Sequence, residues 1–339
     1  MNGHTLPRIA IYGAGSVGCY LGGRLAGHAR VTFIGRPRVI DILRSRGLGW
    51  SDLHGRHGHV AAAALDLRSD PEGAADADLV LVTVKSSATE TVARELARVA
   101  APGVPVISFQ NGLHNAEHLR KLLAAHRVCA GMVPFNVVQR EPGVFHQGTD
   151  GELMVEADTA LSPFLPVFAA AGLRLIQRDD MPAVQAAKLL FNLNNAINAL
   201  SGLPLKQELS LREWRRCLAL AQREALATFA VAGIRPTRLS PLPPAWLPRV
   251  LELPDAWFRR LAARLLAIDP LARSSMWEDL EAGRPTEVDV INGEIVRLAG
   301  VHGLRAPVNA CLVALIRAAE RERCPWTGAG LLQALRTAQ

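Results

Sequence analysis

With 339 residues, 49% of them hydrophobic and 20% charged, the chain is long enough for two domains with cores of their own and too apolar to be disordered. Its net charge of +7 suits an anionic partner, but the arginines are scattered, no basic block is interleaved with aromatics and aromatics make up only 5%, which argues against a nucleic-acid footprint. No run of about eighteen apolar residues occurs, and the start lacks the basic-then-apolar pattern of an export signal, so a cytoplasmic protein without a membrane partner is expected.

The first half alternates short apolar runs with helical patterns. RIAIYG is followed by a helix from about Val17 to Gly27; then come RVTFIG, LVLVTVK, VPVISFQNG and VCAGMVPF, an order that predicts a parallel sheet with helices on both faces. GVFHQGTDGELMVEA and LRLIQRD read as strands closing this domain. HGRHGH, with His54, His57 and His59, invites a metal reading. The third strand or its lead-in is the expected home, no cysteine lies nearby, and no metal is expected. The five cysteines, Cys19, Cys129, Cys217, Cys311 and Cys324, contain no CxxC and fit reduced thiols.

Directly after the first strand stands GAGSVG. Gly13, Gly15 and Gly18 have the spacing of a dinucleotide loop: a tight turn, a close backbone approach to a pyrophosphate, and close packing of helix on strand, with Ala14, Ser16 and Val17 completing the cradle. Enzymes using NAD usually place an acid at the end of the second strand for the ribose 2′-hydroxyl. Here Gly35 and Arg36 stand there, followed by Arg38, and a guanidinium suits a 2′-phosphate, so NADP(H) is expected. Lys85 after the fourth strand, and Gln110, Asn111 and Gly112 after the fifth, sit at carboxyl ends of strands, where open α/β sheets bind ligands.

After Asp179 the pattern becomes helical, with helices expected over roughly 181–200, 209–232, 255–266, 271–282, 287–300 and 307–320. A proline-rich stretch, RPTRLSPLPPAWLPRVLELP, falls between the second and third; it reads as a rigid loop, with Trp246 and the leucines available for packing, rather than as an adaptor ligand. In KLLFNLNNAINAL, helical spacing puts Lys188, Asn192 and Asn195 on one face of an otherwise apolar helix, a polar stripe that needs protein or ligand partners. SSMWEDLEAGRPTEVDVINGEIVRLAG places Glu287 at the start of a helix, where the macrodipole stabilises a carboxylate and Thr286 with Asp289 has the form of a capping box.

Read in order from GAGSVG through VKSS, FQNG and KLLFN to SSMWEDLEAGRPTEVDVINGEIVRL and the closing APVN, the chain resembles a ketopantoate reductase over nearly its whole length. The resemblance implies an α/β N-terminal Rossmann domain, residues 1–178, plus an all-α C-terminal domain, residues 179–339, related to that of 6-phosphogluconate dehydrogenase. It further implies NADPH-dependent reduction of ketopantoate to pantoate for coenzyme A synthesis. Lys188 matches the family's catalytic lysine and Glu287 its substrate-binding glutamate, placed with the catalytic and cofactor groups. Asn192 and Ser275 match substrate contacts, Lys85 a cofactor contact, and Asn111 the asparagine after the fifth strand. Gln110 joins the cofactor set. The family's second helix asparagine commonly lies four residues beyond the first, where this chain has Ala196; Asn195 is the expected replacement. MVPFNVV also departs from the threonine-rich stretch of some members. Another small 2-oxo acid, or a non-catalytic NADP(H) sensor, are the competing readings, and a monomer or homodimer is expected.

Overall fold

In the computed structural model, which describes residues 6–261 and 272–339, strand β1 (Arg8–Tyr12) is buried at every position after the first. Only a strand covered on both faces permits that. Helix α1 (Ser16–Leu25), β2 (Arg30–Ile34), α2 (Pro37–Arg46), β3 (Leu48–Asp52), β4 (His57–Val60), β5 (Asp66–Arg68) and β6 (Leu79–Val82) follow. Next come α3 (Thr89–Val99), β7 (Pro105–Ser108), α4 (Asn115–Leu122), β8 (Arg127–Met132), β9 (Val137–Glu141), β10 (Val144–Gln147), β11 (Leu153–Glu156), α5 (Leu165–Ala170) and β12 (Leu175–Arg178). The large sheet has the order β12-β11-β8-β7-β6-β1-β2-β5 and is parallel except where β11 meets β8. The chain runs outward from β1 through β2 to β5, then returns to β6 on the other side of β1. That reversal opens the crevice where doubly wound sheets take their ligands.

The central strands are apolar runs because each faces a helix layer. Ile11, Leu21, Phe33, Leu79, Leu81, Ile107 and Phe168 are all fully enclosed, each side chain contributing about 1.5–3 kcal/mol by leaving water. A second sheet of order β4-β3-β10-β9 lies outside this frame. It divides the segment expected as one closing strand: GVFHQ supplies β10 to the small sheet and LMVE supplies β11 to the large one. His57 and His59 lie on β4 in the small sheet, and the third strand of the large sheet is instead β5.

The chain divides into two units, Met1–Met181 and Pro182–Gln339. The second unit is built by α6 (Met181–Asn192), α7 (Asn194–Ser201), α8 (Leu205–Ser210), α9 (Arg212–Val231), α10 (Leu247–Leu251), α11 (Asp255–Leu261), α12 (Ser275–Glu281), α13 (Val288–Val301), α14 (Pro307–Arg321) and α15 (Gly328–Ala338). Helix α9 is its hub: Trp214, Cys217, Leu218, Ala221, Ala225 and Phe229 repeat at helical spacing, and α7, α8, α10, α13, α14 and α15 pack on it.

Several expectations are corrected here. The single helix over 181–200 is two, separated at Leu193. That residue keeps right-handed dihedrals, and its N–H bonds Leu189 O at 3.0 Å, so the backbone does not unwind there. Within the proline-rich stretch Leu247–Leu251 is helical, with Leu247 and Leu251 buried, whereas Trp246 is 56% exposed and does not pack as expected. The stretch is held from below by Arg215, wholly buried, whose guanidinium donates to Leu251 O, Leu253 O and Asp255. Helix α15 has no counterpart in the expected set. Residues 262–266 of the helix expected over 255–266, and residue 271 of the next, lie outside the described residues. No described helix is long and apolar enough to cross a membrane.

Candidate active site

In the first unit the loops after β2, β1, β6 and β7 lie side by side at the carboxyl edge of the sheet. Gly13 has φ +119°, and a Cβ there would press on the Val84 amide at 2.7 Å. A Cβ on Gly18 would collide with the Gly13 carbonyl and with Thr83 Oγ1, which itself donates to Gly13 O at 2.7 Å. These two glycines serve the protein's own close packing. Gly15 differs: it is exposed at the N-cap of α1, and a Cβ there would meet nothing within 4 Å. The three glycines thus split as a dinucleotide loop requires, with the backbone at Gly15 open for a pyrophosphate. The amides of Gly13 and Ala14 are committed to Ile34 O, and α1's bonding begins with Cys19 N–H to Gly15 O, so the helix opens with the amides of Ser16, Val17 and Gly18 ahead of that bond.

Arg36 is the N-cap of α2, exposed, and follows Gly35, whose backbone lies against Ala14. The guanidinium of Arg36 is therefore carried on the loop that borders the glycine turn. Lys85 is half-buried after β6. Next to it, Ser86 donates to Asn111 O at 3.2 Å, which joins the loops after β6 and β7. Beneath them runs a polar bed the sequence did not reveal. Asn115 donates to Ser86 Oγ at 2.9 Å and to Asn111 O at 2.5 Å, and Thr89 donates to Asn115 Oδ1 at 2.8 Å. Gln110, expected as a cofactor contact, is buried with both ends of its amide used, accepting from Ser108 and donating to Thr89. Its side chain braces the loop from below.

In the second unit Lys188 and Asn192 stand one turn apart on α6, with Asn192 ending that helix. Lys188 is half-buried as a residue, and burial of its ammonium pushes it down to about 8. Asn195 belongs to α7, beyond the break at Leu193. At this level of α7, Ala196 is fully enclosed while Asn195 is half-buried, which leaves Asn195 the more accessible of the two. Ser275 is exposed at the start of α12. The residue before it, Ser274, is the N-cap: its hydroxyl accepts from Trp277 N–H at 3.1 Å and donates to Asn195 O at 3.2 Å. The Asn195 and Ser275 segments are thereby joined. A serine just ahead of MWEDL was the available signal for this cap.

Glu287 is half-buried at the N-cap of α13 and makes no capping bond. The capping box expected between Thr286 and Asp289 does not form. Thr286 donates its N–H and hydroxyl to Glu320 of α14, each at 2.8 Å, and Asp289 pairs with Arg317 at 2.6 Å. A neighbouring helix outcompetes the local cap.

A doubly wound sheet with an open glycine turn, followed by a helical unit with a buried lysine beside asparagine, defines a nicotinamide-nucleotide dehydrogenase of the two-domain kind. The chain belongs to the ketopantoate reductase family: the profile "Ketopantoate reductase PanE/ApbA" matches residues 9–158 and "Ketopantoate reductase PanE/ApbA C terminal" matches residues 180–320. It is 32% identical to a 2-dehydropantoate 2-reductase of Archaeoglobus fulgidus, covering 93% of this chain and 98% of the relative, and 29% identical to that of Halobacterium salinarum, covering 93% and 99%. Among solved structures, a PanE/ApbA family ketopantoate reductase from Ralstonia eutropha superposes with a TM-score of 0.79 at 30% identity, covering 93% of this chain and 99% of that one. A D-mandelate dehydrogenase bound to NADH shares the fold at 21% identity, with a TM-score of 0.74 over 93% of this chain and 98% of its own.

Proposed function

We infer that the protein reduces 2-dehydropantoate (ketopantoate) to pantoate with NADPH, a step of pantothenate and coenzyme A synthesis. The observation that carries this reading is Lys188: a buried ammonium brought to about 8, one helical turn from Asn192. A general acid works best when its pKa lies near the working pH, and burial has moved this lysine there. Gly13, Ala14, Gly15, Ser16, Val17, Gly18, Arg36 and Lys85 would hold NADP(H), the open space at Gly15 fitting a phosphate and Arg36 the 2′-phosphate. When bound, that cofactor supplies the hydride.

Lys188 holds its proton toward the ketone oxygen and gives it up as alkoxide charge develops there. Asn192 and Asn195 hold the remaining oxygens of the substrate. Ser275 meets its carboxylate, and Glu287 anchors its hydroxyl or orients Lys188. The reading extends to a cytoplasmic enzyme acting as monomer or homodimer. NADPH oxidation against a panel of 2-oxo acids tests it. Ketopantoate should exceed 2-oxoisovalerate, which lacks the hydroxyl, on the order of 10²-fold or more in kcat/KM, because a site that bonds a hydroxyl rejects its absence. Asn195→Ala should narrow that gap. Preference for 2-oxoisovalerate or an aryl 2-oxo acid would assign the chain another substrate.

A further inference from the structure

The two helices that follow β6 and β7 start without a side-chain cap: Ala88 stands before α3 and His114 before α4. In each, a residue type suited to capping comes one position late, Thr89 in α3 and Asn115 in α4. These two bond each other instead, Thr89 Oγ1 donating to Asn115 Oδ1 at 2.8 Å. Gly112, at φ +94°, turns the chain, and the Asn115 amide reaches back four residues to Asn111 O.

The direction of the whole set follows from that last bond. A carbonyl only accepts, so Asn115 presents its nitrogen to Asn111 O, and its second N–H goes to Ser86 Oγ. Its oxygen then faces Thr89, whose hydroxyl gives up its one hydrogen there and accepts from Gln110 Nε2 at 2.7 Å. Gln110 in turn points its oxygen at Ser108, which donates at 3.0 Å. Ser86 sends its own hydrogen to Asn111 O, so that carbonyl takes two donors. Ser108, Gln110, Thr89 and Asn115 are each more than nine-tenths buried. A buried set satisfied in one direction only serves to specify a geometry.

We propose that Asn115 is a positioning residue for the cofactor site: by tying Ser86 to Asn111 it fixes the loop that carries Lys85 against the loop after β7. Thr89 and Gln110 hold the Asn115 amide in the orientation that makes the tie. Asn115 is buried and acts through Lys85, the residue directly before Ser86, and the proposal rests on the reading of Lys85 as an NADP(H) contact. An apolar side chain at 115 would fill the space between α3 and α4 and leave the Thr89 hydroxyl without its acceptor and Asn111 O with one donor fewer.

Asn115→Ala should raise the NADPH Kd, read by fluorescence titration, about tenfold. Thr89→Val, which keeps the shape and removes the hydroxyl, should weaken NADPH in the same direction, while Thr89→Ser, which keeps the hydroxyl, should stay within about twofold of the unaltered chain. Losses routed through one residue do not add, so in a Lys85→Ala background Asn115→Ala should raise the Kd by no more than about threefold. Amide hydrogen exchange in Asn115→Ala should quicken in the loops around Ser86 and Asn111 and stay unchanged across β1 and β2. An NADPH Kd unchanged in both Asn115→Ala and Thr89→Val, or losses that add fully in the Lys85→Ala background, overturns the positioning role. A Thr89→Ser chain as weak as Thr89→Val overturns the one-way order of the bonds. Should Asn115→Ala fail to fold, Thr89→Val carries the same comparison, alone and with Lys85→Ala. Failure of the unaltered chain to bind NADPH would strike the functional reading instead, with exchange at the two loops still deciding the tie.

Discussion

A lysine ammonium stripped of water gives up its proton more readily, and Lys188 is the case in this chain, brought by burial to about 8. Ketone reduction needs the protonated form, so kcat should be flat at lower pH and fall as pH rises through about 8, with pantoate oxidation showing the opposite limb. Lys188→Ala should lower kcat by about 10²-fold or more, with the NADPH Kd nearly unchanged, as stopped-flow and fluorescence titration would read; near-normal turnover would make the lysine structural. Arg36 is a second single-residue test. Exposed at the head of α2 beside the glycine turn, it has no role in the core, so Arg36→Glu should weaken NADPH selectively and spare NADH in a comparison of apparent constants. Both residues stand out in the sequence, Arg36 at the end of the second strand beyond the glycine loop and Lys188 as the lysine of an otherwise apolar helical run. Ser274, Asn115 and Glu208 do not, since a lone polar residue among helical ones gives no sign of which distant backbone it will cap or clamp.

The element scale separates glycines that look alike in sequence. At Gly15 an added methyl finds open space, whereas at Gly18 it strikes the Gly13 carbonyl and comes within 2.6 Å of Thr83 Oγ1. Gly15→Ala should therefore keep the melting temperature measured without cofactor and weaken NADPH binding, while Gly18→Ala should lower the melting temperature itself by several degrees, a loss of about 1–3 kcal/mol from overpacking. Thermal melts with and without NADPH distinguish the two. The central strands β1, β6, β7 and β8 of the large sheet were readable from their apolar runs, because burial on both faces leaves no alternation to confuse them, whereas the short, largely exposed β5 was not. The break between α6 and α7 was not, because NLNN continues the helical spacing and Leu193 keeps helical dihedrals. What ends α6 there is tertiary: Asn194 and Asn198 turn to Glu208 and Ser274. The Thr286 box failed for a like reason, since Glu320 of α14 offered a better acceptor.

For the whole molecule, a carboxyl held protonated carries a pH signature in stability. Glu208 moves from 4.5 to about 8 on burial, so between those values the native chain keeps a proton that the unfolded chain releases. Its contribution is complete below about pH 4.5 and is lost as pH rises through about 8. Urea midpoints at pH 5 and pH 8 should show this decline, and Glu208→Gln should flatten it. The α/β-then-α order of the two units was legible from the change of period after Asp179. The small sheet was not: β3 takes the distant β10 as its parallel neighbour, and each brings its own sequence-adjacent antiparallel partner, β4 and β9. That pairing also sets a timetable for a chain emerging from the ribosome. The hairpin of β3 and β4 is made early, with Trp50 at its middle. It must wait for Val144–Gln147 before the edge it offers is closed, while β6, β7 and β8 are synthesised and can already stack beside β1. Through that interval an open strand edge is presented to whatever is near, so a codon-level pause or a chaperone acting between Asp52 and Val144 would matter more to the yield of this protein than one acting anywhere later.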